Sequence, residues 1–317
     1  MLTRLILLTL LLFMLPLPLH AQIDPDDGYE IALDRIQTAL DTNATVLDLS
    51  LLNLRDLPAE IWALSNLQEL DLSNNQLSEI PAEIGNLSNL QSLRLTNNQL
   101  SELPAEIWAL SNLQSLSLHG NQLSELPAEI GNLSNLQVLW VSGNQLREVP
   151  AEIGLLSNLQ ALLLEGNQLS ELPAEIWALS NLQELYLSSN QLSELPAEIG
   201  NLSNLDRLYL DNNELSALPA EIGNLTNLID LWLHNNQLTV LPLQLGNLRL
   251  LQFLRLENNP LVFPPPEIVA QGESAILEFL RNPPPDSPFV INEVVGVLLM
   301  TVMTTLASLW TRLHFLR

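Results

Sequence analysis

The sequence contains no cysteine, and none of its basic residues is a lysine. Without cysteine there are no disulfide bonds, thiolate metal sites or cysteine nucleophile. Without lysine there is neither Schiff-base chemistry nor a phosphate-binding loop of the GxxxxGK[ST] type. The missing cysteines do not fix the compartment, because such a chain tolerates oxidising and reducing surroundings equally.

Positive charge and aromatic residues are also scarce. The chain has 11 basic and 36 acidic residues, a formal net charge of −25. This charge repels a phosphate backbone, so the sequence predicts no nucleic-acid partner. Aromatic residues make up 5% of the chain and hydrophobic residues 47%. Leucine therefore dominates the apolar set, which favours a repetitive aliphatic core.

Residues 1–21 are predicted to be a signal peptide. The stretch "MLTRLILLTLLLFMLPLPLHAQ" has one charge, Arg4, before an apolar run at residues 5–15. The run is too short to cross a bilayer and suits a secretory signal. We expect cleavage after Ala21. An N-terminal core helix is the less favoured alternative, because nothing polar interrupts the run.

Residues 294–311 are a candidate transmembrane helix. They follow a proline-rich linker at 283–293 and carry no charge. Their length gives ~27 Å of helix against a hydrocarbon core of ~30 Å. The short basic tail at 312–317 predicts an outside-to-inside orientation. A helix packed on the end of the preceding domain and a cleaved lipid-anchor signal are the alternatives.

Between these ends a motif recurs every 23 residues. The pattern LxLxxNxL occurs nine times, once with Val141 in place of its second leucine, and a tenth copy, "LDLSLLNL", begins at Leu47 and has Leu52 at the asparagine position. The nine asparagines share one register: Asn75, Asn98, Asn121, Asn144, Asn167, Asn190, Asn213, Asn236 and Asn259. Self-similarity at such a fixed period predicts a solenoid of about ten repeats over residues 46–262.

The pattern also predicts the structure of one repeat. Alternating leucines on a short strand point inward and stack on those of adjacent copies. The asparagine lies at the bend after the strand, where its amide can bond to backbone groups inside the coil. The remainder, "LPAEIGNLSNLQ" or a close relative, returns outside as a short helix or irregular turn. We therefore expect an α/β solenoid, a horseshoe with a parallel sheet on its concave face.

Both ends of the repeat array should carry helical caps, since an uncapped leucine core would be exposed. Residues 22–45 contain an amphipathic pattern with Ile31, Ile36 and Leu40 on the expected buried face. At the other end the period breaks after Pro260, and residues 263–282 predict one cap helix from about 266 to 281.

The repeats resemble a known family. The block "LPAEIGNLSNLQELDLSNNQL", the lead-in "IALDRIQTALDTNATVLDL" and the tail "NPLVFPPPEIVAQGESAILEFL" are similar to bacterial leucine-rich repeat proteins of the Roco and Ras-binding type. The resemblance covers roughly residues 28–281 and implies a protein-binding scaffold. In Roco proteins a Ras-like GTPase domain follows. This chain has no phosphate-binding loop, so GTPase activity is not implied.

Candidate binding residues lie between the paired leucines of each copy. These positions hold Asp71, Arg94, Ser117, Trp140, Leu163, Tyr186, Tyr209, Trp232 and Arg255. Five consecutive members, from Trp140 to Trp232, are large and apolar or aromatic, and at ~4.8 Å per strand they should form an exposed strip of ~19 Å. The predicted ligand-binding residues are Arg94, Trp140, Leu163, Tyr186, Tyr209, Trp232, His234 and Arg255. Tolerated surface aromatics without function are the alternative.

Polar residues border this strip, in the column Ser73, Thr96, His119, Ser142, Glu165, Ser188, Asp211, His234 and Glu257. The trio Asp211, His234 and Glu257 could attract a divalent metal or suggest catalysis, but we favour a polar border and predict no metal, cofactor or catalytic residue. Further glutamates recur in every "PAEI" segment. A solvated acidic face is favoured there over weak Ca²⁺ binding.

Together these features predict a non-catalytic scaffold that binds a protein or peptide of unknown identity on its concave face. The signal sequence and the candidate span predict an exported, membrane-tethered protein at the cell surface or in the periplasm. The alternative is an intracellular signalling adaptor that binds a Ras-like small GTPase. That function needs a cytosolic location, against which the signal sequence argues.

Overall fold

The computed structural model describes residues 25–284. The predicted signal peptide, the candidate membrane span and the basic tail lie outside these residues, as does most of the linker. Within residues 25–284, no helix has the length and apolar character needed to cross a membrane.

Ten short strands form one open parallel sheet whose spatial order follows the chain. In every neighbouring pair a residue lies beside the one 23 positions later, for example Leu70 beside Leu93. The strands are β1 (Val46–Asp48), β2 (Glu69–Asp71), β3 (Ser92–Arg94), β4 (Ser115–Ser117), β5 (Val138–Trp140), β6 (Ala161–Leu163), β7 (Glu184–Tyr186), β8 (Arg207–Tyr209), β9 (Asp230–Trp232) and β10 (Phe253–Arg255). The predicted solenoid with a parallel sheet is confirmed.

Each strand except the last is followed by a five-residue 3₁₀ helix on the opposite side of the coil, from η1 (Ala59–Ala63) to η9 (Leu243–Asn247). A proline precedes every one, as Pro104 precedes η3 (Ala105–Ala109) with φ −67° and ψ 146°. Proline fixes φ and needs no hydrogen-bond acceptor, so it suits the entry to a tight turn. Short connecting segments of this kind are typical of the 3₁₀ helix, whose poorer hydrogen-bond geometry does not favour long runs.

The core is a stack of leucines and isoleucines from successive coils. Leu116 and Leu118 of one coil are fully buried, as is Ile130 of the next outer turn. On the outer turns Trp108 and Trp177, at positions that hold glycine in other repeats, are each only 3% exposed. They fill space between coils and belong to the hydrophobic core.

The nine asparagines link the coils through their side-chain amides, and all but Asn259, which is half-buried, are buried. In a representative coil, Asn98 Nδ2 donates to the carbonyls of Leu72 at 3.0 Å and Leu95 at 3.1 Å. Its Oδ1 accepts from the amide of Leu77 at 3.1 Å. In the first repeat, where Leu52 replaces the asparagine, Asn75 Oδ1 accepts from two amides, those of Leu52 at 3.2 Å and Leu54 at 3.0 Å.

A second asparagine series, which sequence reasoning missed, lies on the outer turns. Each side chain donates to a serine carbonyl 24 residues earlier, as Asn135 does to Ser111 at 2.8 Å. The members are Asn89, Asn112, Asn135, Asn158, Asn181, Asn204 and Asn227. These amides are exposed, so they are expected to contribute less to stability than the buried series.

The N-terminal cap is helix α1 (Pro25–Thr42). Its buried residues are Ala32, Ile36 and Ala39, at 0%, 0% and 4% exposure. The expectation for Ile31 was wrong, because it is 37% exposed. Small alanines on either side of Ile36 let the helix approach the first coil closely, which turns Ile31 toward solvent.

The C-terminal cap consists of two helices instead of the single predicted one. These are α2 (Pro266–Val269) and α3 (Glu273–Arg281). Gly272, with φ +92°, lies between them in a conformation that side chains rarely adopt. Helix α3 buries Ile276, Leu277 and Leu280 against the last coil. The contact is close, since a Cβ added to Gly246 of η9 would lie 2.8 Å from the backbone nitrogen of Arg281.

Candidate functional site

Three columns of side chains project from the sheet on the face opposite the core, because alternate strand residues point the same way. The central column holds the variable residues identified from the sequence, and the trailing column is the polar border. Sequence reasoning missed the leading column, formed by the first residue of each strand. Its members are Val46, Glu69, Ser92, Ser115, Val138, Ala161, Glu184, Arg207, Asp230 and Phe253. The same alternation rule, applied two residues earlier, would have found them.

Four residues of the central column form a continuous stack over β7–β10. The ring centroids of Tyr186 and Tyr209 lie 4.3 Å apart, and those of Tyr209 and Trp232 lie 4.1 Å apart, with near-parallel planes. The guanidinium carbon of Arg255 lies 4.7 Å from the centre of the Trp232 ring. The strand spacing of ~4.8 Å brings the rings to this separation. The rings therefore pack face to face and present their edges to solvent.

The strip from Trp140 to Trp232 is not uniformly exposed, and that expectation was wrong. Leu163 is 2% exposed and Tyr186 7%. With Ala161 they form a small apolar cluster separate from the main core, against which Trp140 and Tyr209 pack. The small side chain of Ala161 lets its larger neighbours close over the sheet at this point.

Two predicted binding residues lie apart from the stack. Trp140 packs on His119, with ring centroids 4.8 Å apart, and Leu163 separates it from Tyr186 along the sheet. Arg94 lies on β3, where it faces Glu69 at 3.9 Å and Asp71 at 3.8 Å. Arg94 is thus four strands from Tyr186, about 19 Å, and does not contribute to the same surface.

An ionic group formed by residues of the leading column and Asp206, the residue before β8, flanks the stack. Arg207 donates to Glu184 Oε1, and its guanidinium lies 3.6 Å from Asp206. Burial lowers the pKa of Arg207, but the carboxylates of Glu184 and Asp206 raise it more. Burial raises the pKa of Asp206, against the opposing effect of Arg207. On the next strand Trp232 Nε1 donates to Asp230 at 3.2 Å, which joins this group to the stack.

Both stacked tyrosines are held in their neutral form. Burial raises the pKa of Tyr209 to about 12, and the negative charge of Asp230 adds to the effect. Burial also raises the pKa of Tyr186, with a further contribution from Glu184. Their hydroxyls thus remain hydrogen-bond donors at physiological pH.

The trailing column is bonded within itself. His119 Nδ1 donates to the Ser142 carbonyl at 3.0 Å, and burial lowers the His119 pKa. Ser142 Oγ donates to Glu165, whose pKa is raised by burial. These contacts lie beside Trp140 and Leu163, so this part of the face is ordered by its own hydrogen bonds.

His234 lies near one of its two predicted acidic neighbours. Its Nε2 is 3.5 Å from Asp211 Oδ2, and Ser188 Oγ donates to the same carboxylate. The Asp211 carboxylate therefore lies between the Ser188 hydroxyl and the His234 imidazole. Activation of a serine nucleophile requires a direct hydrogen bond from its hydroxyl to the imidazole. Glu257 is exposed. Within residues 25–284, no group of three histidine or acidic residues is placed to hold a metal ion.

Comparison with known families identifies the repeats. The family described as "Leucine-rich repeat region" matches residues 45–119, 82–163, 105–186 and 161–257. The chain belongs to the leucine-rich repeat family. A search of curated proteins gives no match.

Solved leucine-rich repeat structures are similar over much of the chain. One is the ectodomain of the Arabidopsis thaliana membrane receptor kinase GASSHO1/SCHENGEN3, in complex with CASPARIAN STRIP INTEGRITY FACTOR 2. It is 36% identical over 65% of this chain and 29% of the receptor chain, with a TM-score of 0.55. The plant peptide hormone receptor RGFR1 in complex with RGF2 is 32% identical over 65% and 42% of the two chains, with a TM-score of 0.51.

A third structure is the Arabidopsis receptor kinase HAESA in complex with the peptide hormone IDA and the co-receptor SERK1. It is 29% identical over 70% of this chain and 39% of the receptor chain, with a TM-score of 0.64. In all three comparisons the match spans less than half of the receptor chain. The finer resemblance to Roco and Ras-binding-type repeats stays a prediction.

Proposed function

We propose that this leucine-rich repeat protein is a non-catalytic scaffold that binds a protein or peptide on its concave face, over β7–β10. The observation that carries the proposal is the stack of Tyr186, Tyr209, Trp232 and Arg255 beside an ionic group. Aromatic residues and arginine are the types most enriched in binding hot spots. Solved relatives are complexes with peptide hormones, which supports a peptide or protein partner.

A rigid surface favours this use of the concave face. The stacked rings fix one another across adjacent strands, and Asp230 anchors the indole of Trp232 at 3.2 Å. These side chains are already ordered before a partner binds. Binding therefore costs less conformational entropy than it would on a mobile surface. The polar arrangement around His234 supports binding over catalysis, because no hydroxyl meets the imidazole there.

The concave-face proposal can be tested with peptides selected from a random displayed library on the purified protein. Replacing the three stacked rings of Tyr186, Tyr209 and Trp232 together with alanine should weaken binding of the selected peptides at least tenfold, measured by fluorescence anisotropy. The matched control is Leu155→Ala, which removes an apolar side chain that is 63% exposed on an outer turn. Circular dichroism checks that both variants fold. Selected peptides that bind the triple variant and the wild type equally would overturn the proposal.

We further propose that the repeats act outside the cytoplasm, tethered by residues 294–311. The apolar segment at 5–15, the uncharged segment at 294–311 and the basic tail support this location. Sequencing of the mature protein should find Gln22 at its N-terminus, and protease added to intact cells should degrade the repeats. Repeats that remain protected, on a chain that keeps residues 1–21, would show that the location is wrong.

A further inference from the structure

The ionic group in the leading column contains more negative than positive charge. Glu184, Asp206 and Asp230 surround one cation, Arg207, on β7–β9 and the residue before β8. Burial has the largest effect and raises the pKa of Asp206. The positive charge of Arg207 lowers this pKa, and the negative charges of Glu184 and Asp230 raise it.

Two carboxylate oxygens of this group lack donors. Glu184 is only 3% exposed. Its Oε1 accepts from Arg207, but among the described residues no hydrogen bond of acceptable geometry reaches its Oε2 or Asp206 Oδ1. A buried acceptor without a donor is unfavourable, because it loses its hydrogen bonds to water and gains none in the protein. One guanidinium, that of Arg207, is thus shared between Glu184, which it contacts closely, and Asp206, which lies 3.6 Å from it.

The neighbouring strands add to the negative charge. The face over β6–β10 also carries Glu165, Asp211 and Glu257 in the trailing column. Its second cation, Arg255, is engaged on the Trp232 ring at 4.7 Å. Six carboxylates therefore face two guanidinium groups, and both guanidinium groups already have partners.

An apolar position lies at the end of the same column. Phe253 on β10 pairs in register with Asp230 on β9 and is 55% exposed. Three strand spacings separate Phe253 from Glu184, about 14 Å, which an extended peptide crosses in about four residues. The leading column therefore offers an acidic, donor-poor position and an exposed phenyl ring at a defined distance.

We propose that the partner segment is an extended, positively charged peptide. An arginine or lysine side chain lies against Glu184, Asp206 and Asp230, and an apolar side chain about four residues away packs on Phe253. The inference rests on the proposed function and specifies the chemistry of its partner. A second copy of the chain does not fit this surface, because two molecules of net charge −25 repel each other.

The test begins with the peptides selected from the random library on the wild-type protein. They should be enriched in arginine and lysine, with an apolar residue about four positions from a basic one. Their affinity should fall as NaCl is raised, since ion pairs at a partly open surface are screened. Selected peptides that are acidic or uncharged, or self-association seen by sedimentation in place of peptide binding, would overturn the inference.

Isosteric variants locate the interaction. Glu184→Gln combined with Asp206→Asn and Asp230→Asn should weaken binding of the basic peptides at least tenfold. Asp230→Asn alone, at a half-buried position, should weaken it about threefold to tenfold and serves if the triple variant does not fold. The matched control is Glu69→Gln with Asp71→Asn on β2, which should leave the affinity unchanged.

The outcomes separate this inference from the proposed function. Binding that depends on Tyr209 and Trp232 but not on the three carboxylates would overturn the charged-peptide inference alone. Peptides whose affinity is unchanged when Tyr209 and Trp232 are replaced would overturn both the inference and the proposed function. A library that yields no binder would also overturn both. Equal losses in the carboxylate variant and its β2 control would show a general charge effect and would also overturn the inference.

Discussion

In most coils one buried asparagine forms hydrogen bonds with backbone groups inside the solenoid. Asn144 donates to the carbonyls of Leu118 and Val141, both at 3.0 Å, and accepts from the amide of Leu123 at 3.0 Å. Water cannot replace these bonds easily, because the residue is only 8% exposed. The side chain is therefore structural, whatever partner the concave face binds.

The two asparagine series predict different costs of substitution. Asn144→Ala leaves the buried amide of Leu123 without a partner. The carbonyls of Leu118 and Val141 lose one donor each but keep those from Asn121 and Asn167. The variant should lower the free energy of unfolding by about 2 kcal/mol or more. Asn135→Ala removes one exposed bond, to Ser111, and should lower it by less than ~1 kcal/mol. Urea denaturation followed by circular dichroism measures both. Equal costs would show that burial does not decide the role of the amide.

The buried carboxyl of Glu165 gives a pH-dependent prediction. Burial raises its pKa above the ordinary value of 4.5, and the hydrogen bond from Ser142 opposes this effect. The folded state therefore holds the proton more tightly than the unfolded state. This contribution to the free energy of unfolding is present below pH 4.5 and is lost as the pH rises through the raised pKa.

Glutamine does not ionise, so Glu165→Gln should abolish this loss of unfolding free energy at high pH. The variant should be more stable than the wild type at about pH 8, and the difference should shrink as the pH falls toward 4. Denaturation curves at several pH values provide the measurement, with the exposed Glu198→Gln as control. A stability difference that stays constant with pH would contradict the assignment.

At the scale of elements, the C-terminal cap closes the last coil. Helix α3 buries Leu280, which is 2% exposed, and Arg281 Nε donates to the Gly246 carbonyl at 3.1 Å. Since each coil of a solenoid contacts mainly its neighbours, damage to the cap should first affect the adjacent coils.

Leu280→Ala should therefore reduce stability locally. We expect a loss of about 2–4 kcal/mol, with faster amide hydrogen exchange in β9 and β10 and little change in β1–β4. Hydrogen exchange followed by mass spectrometry resolves the two regions. Ser274→Ala, at an exposed position of the same helix, is the control. Equal acceleration along the whole sheet would show that the array unfolds as one unit.

Element positions were largely predictable from the sequence, and their details were not. The 23-residue period places every strand, because each coil must stack its leucines on the next. The break between α2 and α3 at Gly272 was missed, since one glycine in an otherwise helical pattern does not by itself show a turn. Likewise, the exposure of Ile31 depends on which side of α1 meets the first coil.

At the scale of the whole molecule, the charge of −25 repeats along the outer turns as glutamate columns. Like charges on adjacent coils repel, and salt screens them. Raising NaCl from ~10 mM to ~500 mM should increase the melting temperature by about 5 °C or more. A variant with Glu106, Glu129 and Glu152 replaced by glutamine should respond less, measured by thermal denaturation. A melting temperature indifferent to salt would contradict this prediction.

The sequence by itself determined the solenoid, the inward leucines, the asparagine positions and the central column, because all follow from one repeated backbone geometry. Only the tertiary structure decided how side chains on neighbouring strands use their space. It buried Leu163 and Tyr186, stacked Tyr209 on Trp232, and placed Glu184 and Arg207 together in a column that the sequence reasoning had passed over. These contacts join residues about 23 positions apart, and their burial depends on the size of every neighbour, which the repeat pattern leaves free.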